Sequence, residues 1–230
     1  MVKKELHPNL ELLKRVAKEI SPLIDNVVFV GGATTTLYIN KVDHADQARG
    51  TVDVDMILNA NRLTFYKIEE ILRMLGFKHD QNTTYRFLKD DLIVDIMPIE
   101  GSVLGFTNSW YKEGYNTAEL GKIGGIEFRV LNFAYFLATK LEAFNGRGKN
   151  DYFSSKDMED IVTVLAGRKG FLGELLALEG EIKKFVFSQL KFHFENGDFQ
   201  ESLEGHLPIV LNKKELLLQI KSDIREFISQ

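Results

Sequence analysis

The stretch VVFVGGATTTLYI, residues 27–39, and the stretch RGTVDVDMIL, residues 49–58, together decide the reading of this chain. The first opens with a β-branched and aromatic run, 27–30, which predicts a strand and then breaks at Gly31-Gly32. The second is also apolar, yet it carries Asp53 and Asp55 two residues apart. On a strand such residues project from one face, roughly 7 Å apart at Cα. Asp53 and Asp55 are therefore expected on one face, with Val52, Val54 and Met56 turned the other way into a core. Two like-charged carboxylates repel, and a divalent cation between them relieves the repulsion. Oxygen-only ligands suit Mg²⁺ or Mn²⁺, which keep coordination positions for substrate phosphates.

Asp95 lies in a second apolar run, LIVDIMP, at 92–98. If its strand neighbours that of Asp53 and Asp55, three carboxylates converge as possible metal ligands. Such a set is enough for two metal ions about 4 Å apart, the arrangement that supports in-line phosphoryl displacement. Gly31-Gly32, at a strand end and before an expected helix at 33–39, would expose backbone N–H groups with no side chain in the way, as phosphate sites do. With fourteen aspartates in the chain, about one D-x-D is expected by chance. The ordered set of strand, Gly-Gly, short helix, acidic pair and later third acid therefore carries more weight than the D-x-D alone.

Working outward, Pro8 precedes an amphipathic helix pattern that Pro22 ends. A polar loop at 40–50 leads to the strand 51–58. A helix at 63–75 stops at Gly76. Strands at 83–88 and 92–97 flank a Lys89-Asp90-Asp91 turn, and residues 98–116 read as irregular. Strands at 120–123 and 126–131 flank Gly124-Gly125, a two-residue hairpin signal. Beyond this the pattern is helical: Asn132 precedes a helix to about Phe144 with Gly146 outside it, Ser154 or Ser155 caps the next, and the last begins at Asn212. The expected organisation is a mixed α+β domain over 1–130 and an all-helical domain over 131–230 that closes the active-site groove.

The 230 residues contain no apolar run long enough to span a membrane, no secretory-signal pattern at the N-terminus and no cysteine, which fits a cytoplasmic protein. The five histidines lack zinc-ligand spacing. A net charge of −4 disfavours a uniformly basic nucleic-acid surface, though Arg168-Lys169 and Lys183-Lys184 are candidate local patches. Lys140 and Arg147 are seven apart, two helical turns, and share one face. Asp157 and Asp160 sit where a helix dipole favours acids.

These residues in this order resemble the DNA polymerase β-like nucleotidyltransferase superfamily. Gly31-Gly32-Ala33 followed by Arg49-Gly50-Thr51-Val52-Asp53-Val54-Asp55, then Lys140, Arg147 and Lys156-Asp157 with Asp160, resemble its AbiEii/AbiGii-type branch. The resemblance covers about residues 27–165. Where many members have Gly-Ser at the phosphate turn, this chain offers only the hydroxyls of Thr34, Thr35 and Thr36. The resemblance implies a polymerase β-like mixed sheet and transfer of a nucleoside monophosphate from an NTP to an acceptor hydroxyl, with tRNA one such acceptor. It assigns the metal ions to Asp53, Asp55 and Asp95, with Asp95 also as general base. Lys140 would act on the leaving pyrophosphate, and Gly31, Gly32, Thr34, Arg49, Thr51, Arg147 and Asp157 would bind the nucleotide. It also implies a toxin with an antitoxin partner, or a phage-defence role. Two rival readings are a catalytically silent nucleotide-binding or protein-interaction module, and a transferase to a protein or a small molecule such as an aminoglycoside.

Overall fold

The apolar run Val27–Val30 forms strand β1, with all four residues buried. The computed structural model describes residues 6–41, 44, 46–148 and 151–230, so the expected polar loop at 40–50 lies partly outside the described residues. The chain falls into two compact units. One holds the residues up to Leu37 together with Gly50–Asn132, and the other holds Tyr38–Arg49 with Phe133–Gln230.

In the first unit, helix α1 (Pro8–Glu19) precedes β1, and β2 spans Asp53–Leu58. Helix α2 (Arg62–Met74) follows, then β3 (Lys78–His79), β4 (Arg86–Lys89), β5 (Leu92–Pro98), the short helices α3 (Gly101–Leu104) and α4 (Tyr111–Asn116), and the hairpin β6 (Glu119–Ile123) and β7 (Ile126–Val130). The seven strands form one mixed sheet in the order β3-β4-β5-β2-β1-β7-β6. β2 lies between β1, antiparallel to it, and β5, parallel to it. β2 thus has a strand at each edge, and its Val54, Met56 and Ile57 are fully buried. An acid in such a strand is therefore conspicuous. Gly124 and Gly125, with φ of 57° and 87°, make the β6–β7 turn as expected.

The segment after Gly31 is helical as expected, over Gly32–Tyr38, and its form is 3₁₀. Thr34 bonds back to Gly31 O through both its N–H, at 3.2 Å, and its hydroxyl, at 2.8 Å. Hydroxyl back-bonding in a β-branched run competes with the i→i−4 ladder. Val52 lies outside β2 and is 72% exposed, so only Val54 and Met56 face the core. Residues 98–116 contain α3 and α4 where irregular chain was expected.

The second unit is helical: α5 (Phe133–Arg147), α6 (Lys156–Gly167), α7 (Phe171–Leu176), α8 (Gly180–Phe194), α9 (Gly197–His206) and α10 (Lys213–Ile228). α5 continues through Gly146, which had been expected beyond its end. Ser155 caps α6 by accepting from Met158 N at 3.3 Å. Tyr38–Arg49 joins this unit by docking on the end of α6. Asn40 and Lys41 donate backbone N–H groups to Gly167 O at 3.1 and 2.9 Å, and Lys41 Nζ reaches Ala166 O at 2.6 Å. Among the described residues, no helix is long and apolar enough to cross a membrane.

His193 on α8 is fully buried against the Phe144, Tyr152 and Phe199 rings, and its Nδ1 lies 2.9 Å from the Tyr152 hydroxyl. Burial pushes its pKa down to about 4. Unfolding lets the ring take up a proton below its ordinary value near 6.5, so the unfolded state binds more protons in that range. Stability should therefore be intact above about pH 6.5 and fall by about 3 kcal/mol as pH drops toward 4. Chemical denaturation of His193→Gln against the parent across this range should show the slope reduced. An unchanged slope would show that another group causes it.

Candidate active site

Asp53 and Asp55 lie on β2 two residues apart and so on one face. Asp95 on β5 pairs in register with Asp55, which puts the third acid beside the other two on neighbouring strands. Asp95 is almost fully buried, whereas Asp53 keeps part of its surface in solvent. Thr51 donates its hydroxyl to Asp53 Oδ1 at 2.8 Å. Thr51 N–H in turn donates to Oδ1 of Asn9, a fully buried residue of α1, at 3.0 Å. A chain of two hydrogen bonds thus runs from α1 to the first acid.

Gly31 completes this corner. Val30 pairs with Asp55, and the backbone then turns past the carboxylate with φ of 74° at Gly31. A Cβ at Gly31 would overlap the Asp55 side chain. Glycine is required here on two grounds, the left-handed backbone and the space. Thr34, Thr35 and Thr36 are all buried, and the Thr34 hydroxyl donates to Gly31 O. The acids lie apart from a polar concavity of about 560 Å³ lined by Asn59, Asn61, Arg62, Thr64, Glu100 and Ser102, beyond the ends of β2 and β5.

A residue that the sequence reading missed dominates the cluster. Arg86 on β4 sits opposite Asp95 in the antiparallel register. Its Nε donates to Asp95 Oδ1 at 2.7 Å and its Nη2 to Asp95 Oδ2 at 2.8 Å, a bidentate pair. The same Nη2 reaches Asp53 Oδ2 at 3.1 Å. The hydrogen bond and charge of Asp95 hold the guanidinium pKa well above its ordinary value. The signal was available: counting outward from the Asp90-Asp91 turn places Arg86 across from Asp95.

The donor set meets the chemistry of a divalent cation in part. Asp53 and Asp55 lie on one face beside a turn with no side chain in the way, and Asp53, half-exposed, accepts one bond at each oxygen, from Thr51 and from Arg86. Both Asp95 oxygens, however, already accept from Arg86. Among the described residues, no group of three or more acidic or histidine side chains is arranged to hold a metal ion.

The other residues singled out from the sequence assemble within the helical unit. Lys140 Nζ is buried and donates to Asp157 Oδ1 at 3.1 Å and Asp160 Oδ2 at 2.6 Å. Arg147 is 73% exposed yet grips Asp157 through Nε and Nη2 at 2.8 and 2.9 Å. Arg49 donates to Asp160 at 2.8 Å. Burial works to raise the Asp157 pKa, but the Arg147 hydrogen bond and the Lys140 charge outweigh it and hold the carboxyl below its usual range. Asp157 and Asp160 are thus the buried anions of an ion network, a stronger role than helix-dipole partners. Arg168 bonds Glu174 and Lys184 bonds Glu181.

No protein-family model matches the sequence, and no curated protein matches it. Two solved structures share the fold. An antigenic nucleotidyltransferase-like protein from Paracoccidioides brasiliensis aligns with a TM-score of 0.54 and 14% identity, over 86% of this chain and 92% of that one. The antibiotic-resistance factor ANT(2'')-Ia aligns with a TM-score of 0.50 and 14% identity, over 81% of this chain and 92% of that one. The mixed sheet with its helices is therefore a nucleotidyltransferase-like fold.

Two substitutions test this geometry by equilibrium unfolding. Gly31→Ala should lose about 2 kcal/mol or more, from the left-handed backbone plus the overlap with Asp55. Lys140→Met should lose about 3 kcal/mol or more, because it leaves two buried carboxylates short of a cation. A loss below about 0.5 kcal/mol, the range of a solvated surface lysine, would contradict the Lys140 network.

Proposed function

We propose that this chain transfers a nucleoside monophosphate from an NTP to an acceptor hydroxyl and releases pyrophosphate. The observation that carries the reading is the Asp53, Asp55 and Asp95 cluster on paired strands beside the side-chain-free turn at Gly31. A fold alone hosts many functions, and it is this site that favours nucleotidyl transfer. Asp53 and Asp55 would hold a divalent ion, Mg²⁺ or Mn²⁺, and the backbone at Gly31-Gly32 would meet phosphate oxygens. When bound, the ion would offset charge on the triphosphate during displacement. Thr51, tied to Asn9, keeps Asp53 in place. In the helical unit, Arg147 is the network cation with an exposed guanidinium, and Asp157 aims it, which suits it to a phosphate group.

The AbiEii/AbiGii-type motifs support an RNA acceptor such as tRNA and a toxin role held in check by an antitoxin protein. The net charge of −4 favours a second reading, a small-molecule acceptor hydroxyl. Incubation with each labelled NTP and Mg²⁺, with total cellular RNA in one arm and a panel of aminoglycosides in the other, separates the two. Label should appear in one acceptor class and depend on Mg²⁺. Asp53→Asn should reduce incorporation at least 100-fold, on the scale of losing a catalytic electrostatic group, while unfolding free energy stays within about 1 kcal/mol. NTP binding without incorporation in either arm would instead mark a catalytically silent module.

A further inference from the structure

Three carboxylates on one face of the central strands demand positive charge, and in this protein part of that charge is covalently built in. Arg86 makes three hydrogen bonds to two of the three acids, two of them to the almost fully buried Asp95. Strand pairing brings Arg86 there, since β4 and β5 place it directly across from Asp95. A guanidinium cannot give up its proton, and its planar fork matches a carboxylate in two bonds. An ion that took Asp95 as a ligand would have to break that bidentate pair and leave Arg86 facing it with like charge.

We infer that Arg86 is the fixed cation of this site, taking the place of an ion shared by Asp53 and Asp95. An ion at Asp53 displaces only the single Nη2 bond at a half-exposed oxygen and leaves the Asp95 pair intact, so the site accepts one divalent ion through Asp53 and Asp55, where the three acids without Arg86 would accept two. This rests on the nucleotidyl-transfer reading. Asp95 accordingly anchors Arg86 and is not a metal ligand. Both its oxygens accept from the guanidinium, so it is a positioning residue for Arg86. Arg86, next to Asp53, supplies a permanent positive charge toward the phosphate that reacts.

The test counts ions rather than turnover. Mn²⁺ bound per chain is measured from the free-ion electron paramagnetic resonance signal, with and without a saturating non-hydrolysable NTP analogue. The parent should bind one Mn²⁺ in the presence of the analogue, and Arg86→Gln should bind a second. Asp95→Asn should leave the count at one and Mn²⁺ affinity within about threefold, as removal of a non-ligand does. Two ions in the parent would overturn the inference and leave nucleotidyl transfer standing. So would a tenfold or greater loss of Mn²⁺ affinity in Asp95→Asn, a variant that remains decisive if Arg86→Gln does not fold. Absence of any Mn²⁺-dependent analogue binding would overturn the inference and the nucleotidyl-transfer reading together.

Discussion

Charge balance on the middle of the sheet is the constraint from which the rest of the first unit follows. β2 is flanked on both sides and buried along most of its length, yet it carries two aspartates, and its neighbour β5 carries a third in register with the second. Uncompensated, such a group would oppose strand pairing. The β4–β5 hairpin delivers the compensation by setting Arg86 against Asp95 and within reach of Asp53. The supporting contacts are local and polar. Asn9 holds the backbone of Thr51, Thr51 holds Asp53, and Gly31 turns past Asp55 because it has no side chain.

The helical unit handles buried charge differently. Lys140, Asp157 and Asp160 are all buried and satisfy one another, with Arg49 and Arg147 added at the margins. A buried ion pair adds little over an apolar pair of the same shape, but removing one member is costly. The cluster ties α5 to α6 through Lys140, and its exposed member is Arg147. The sheet site differs in part: Asp95 is buried as Asp157 and Asp160 are and is held by Arg86 in two bonds, while Asp53 keeps solvent contact and meets Arg86 through a single bond.

Much of this was legible in the chain because it depends on short-range pattern. The period-two placement of Asp53 and Asp55, the break at Gly31-Gly32, the Gly124-Gly125 turn and the Ser155 cap are properties of neighbouring residues, and local sterics and hydrogen bonding decide them. The helix after Gly31 was legible but its 3₁₀ form was not, because three threonines in a row have two ways to satisfy the backbone, and only the Thr34 bonds to Gly31 choose between them. Val52 was misplaced because a strand's first residue cannot be told from the residue before it by alternation.

What the sequence determined by itself was the identity and order of the acids and the mixed α+β class followed by helices, since both arise from local spacing. What only the tertiary structure decided was which cation each acid meets. Asp95 and Arg86 are nine residues apart and meet across a hairpin, whereas Asp160 takes its bonds from Arg49, 111 residues away, and Lys140, 20 residues away. Such pairings depend on strand register and helix packing. Those are set by burial summed over whole elements, and no single stretch of residues encodes that sum.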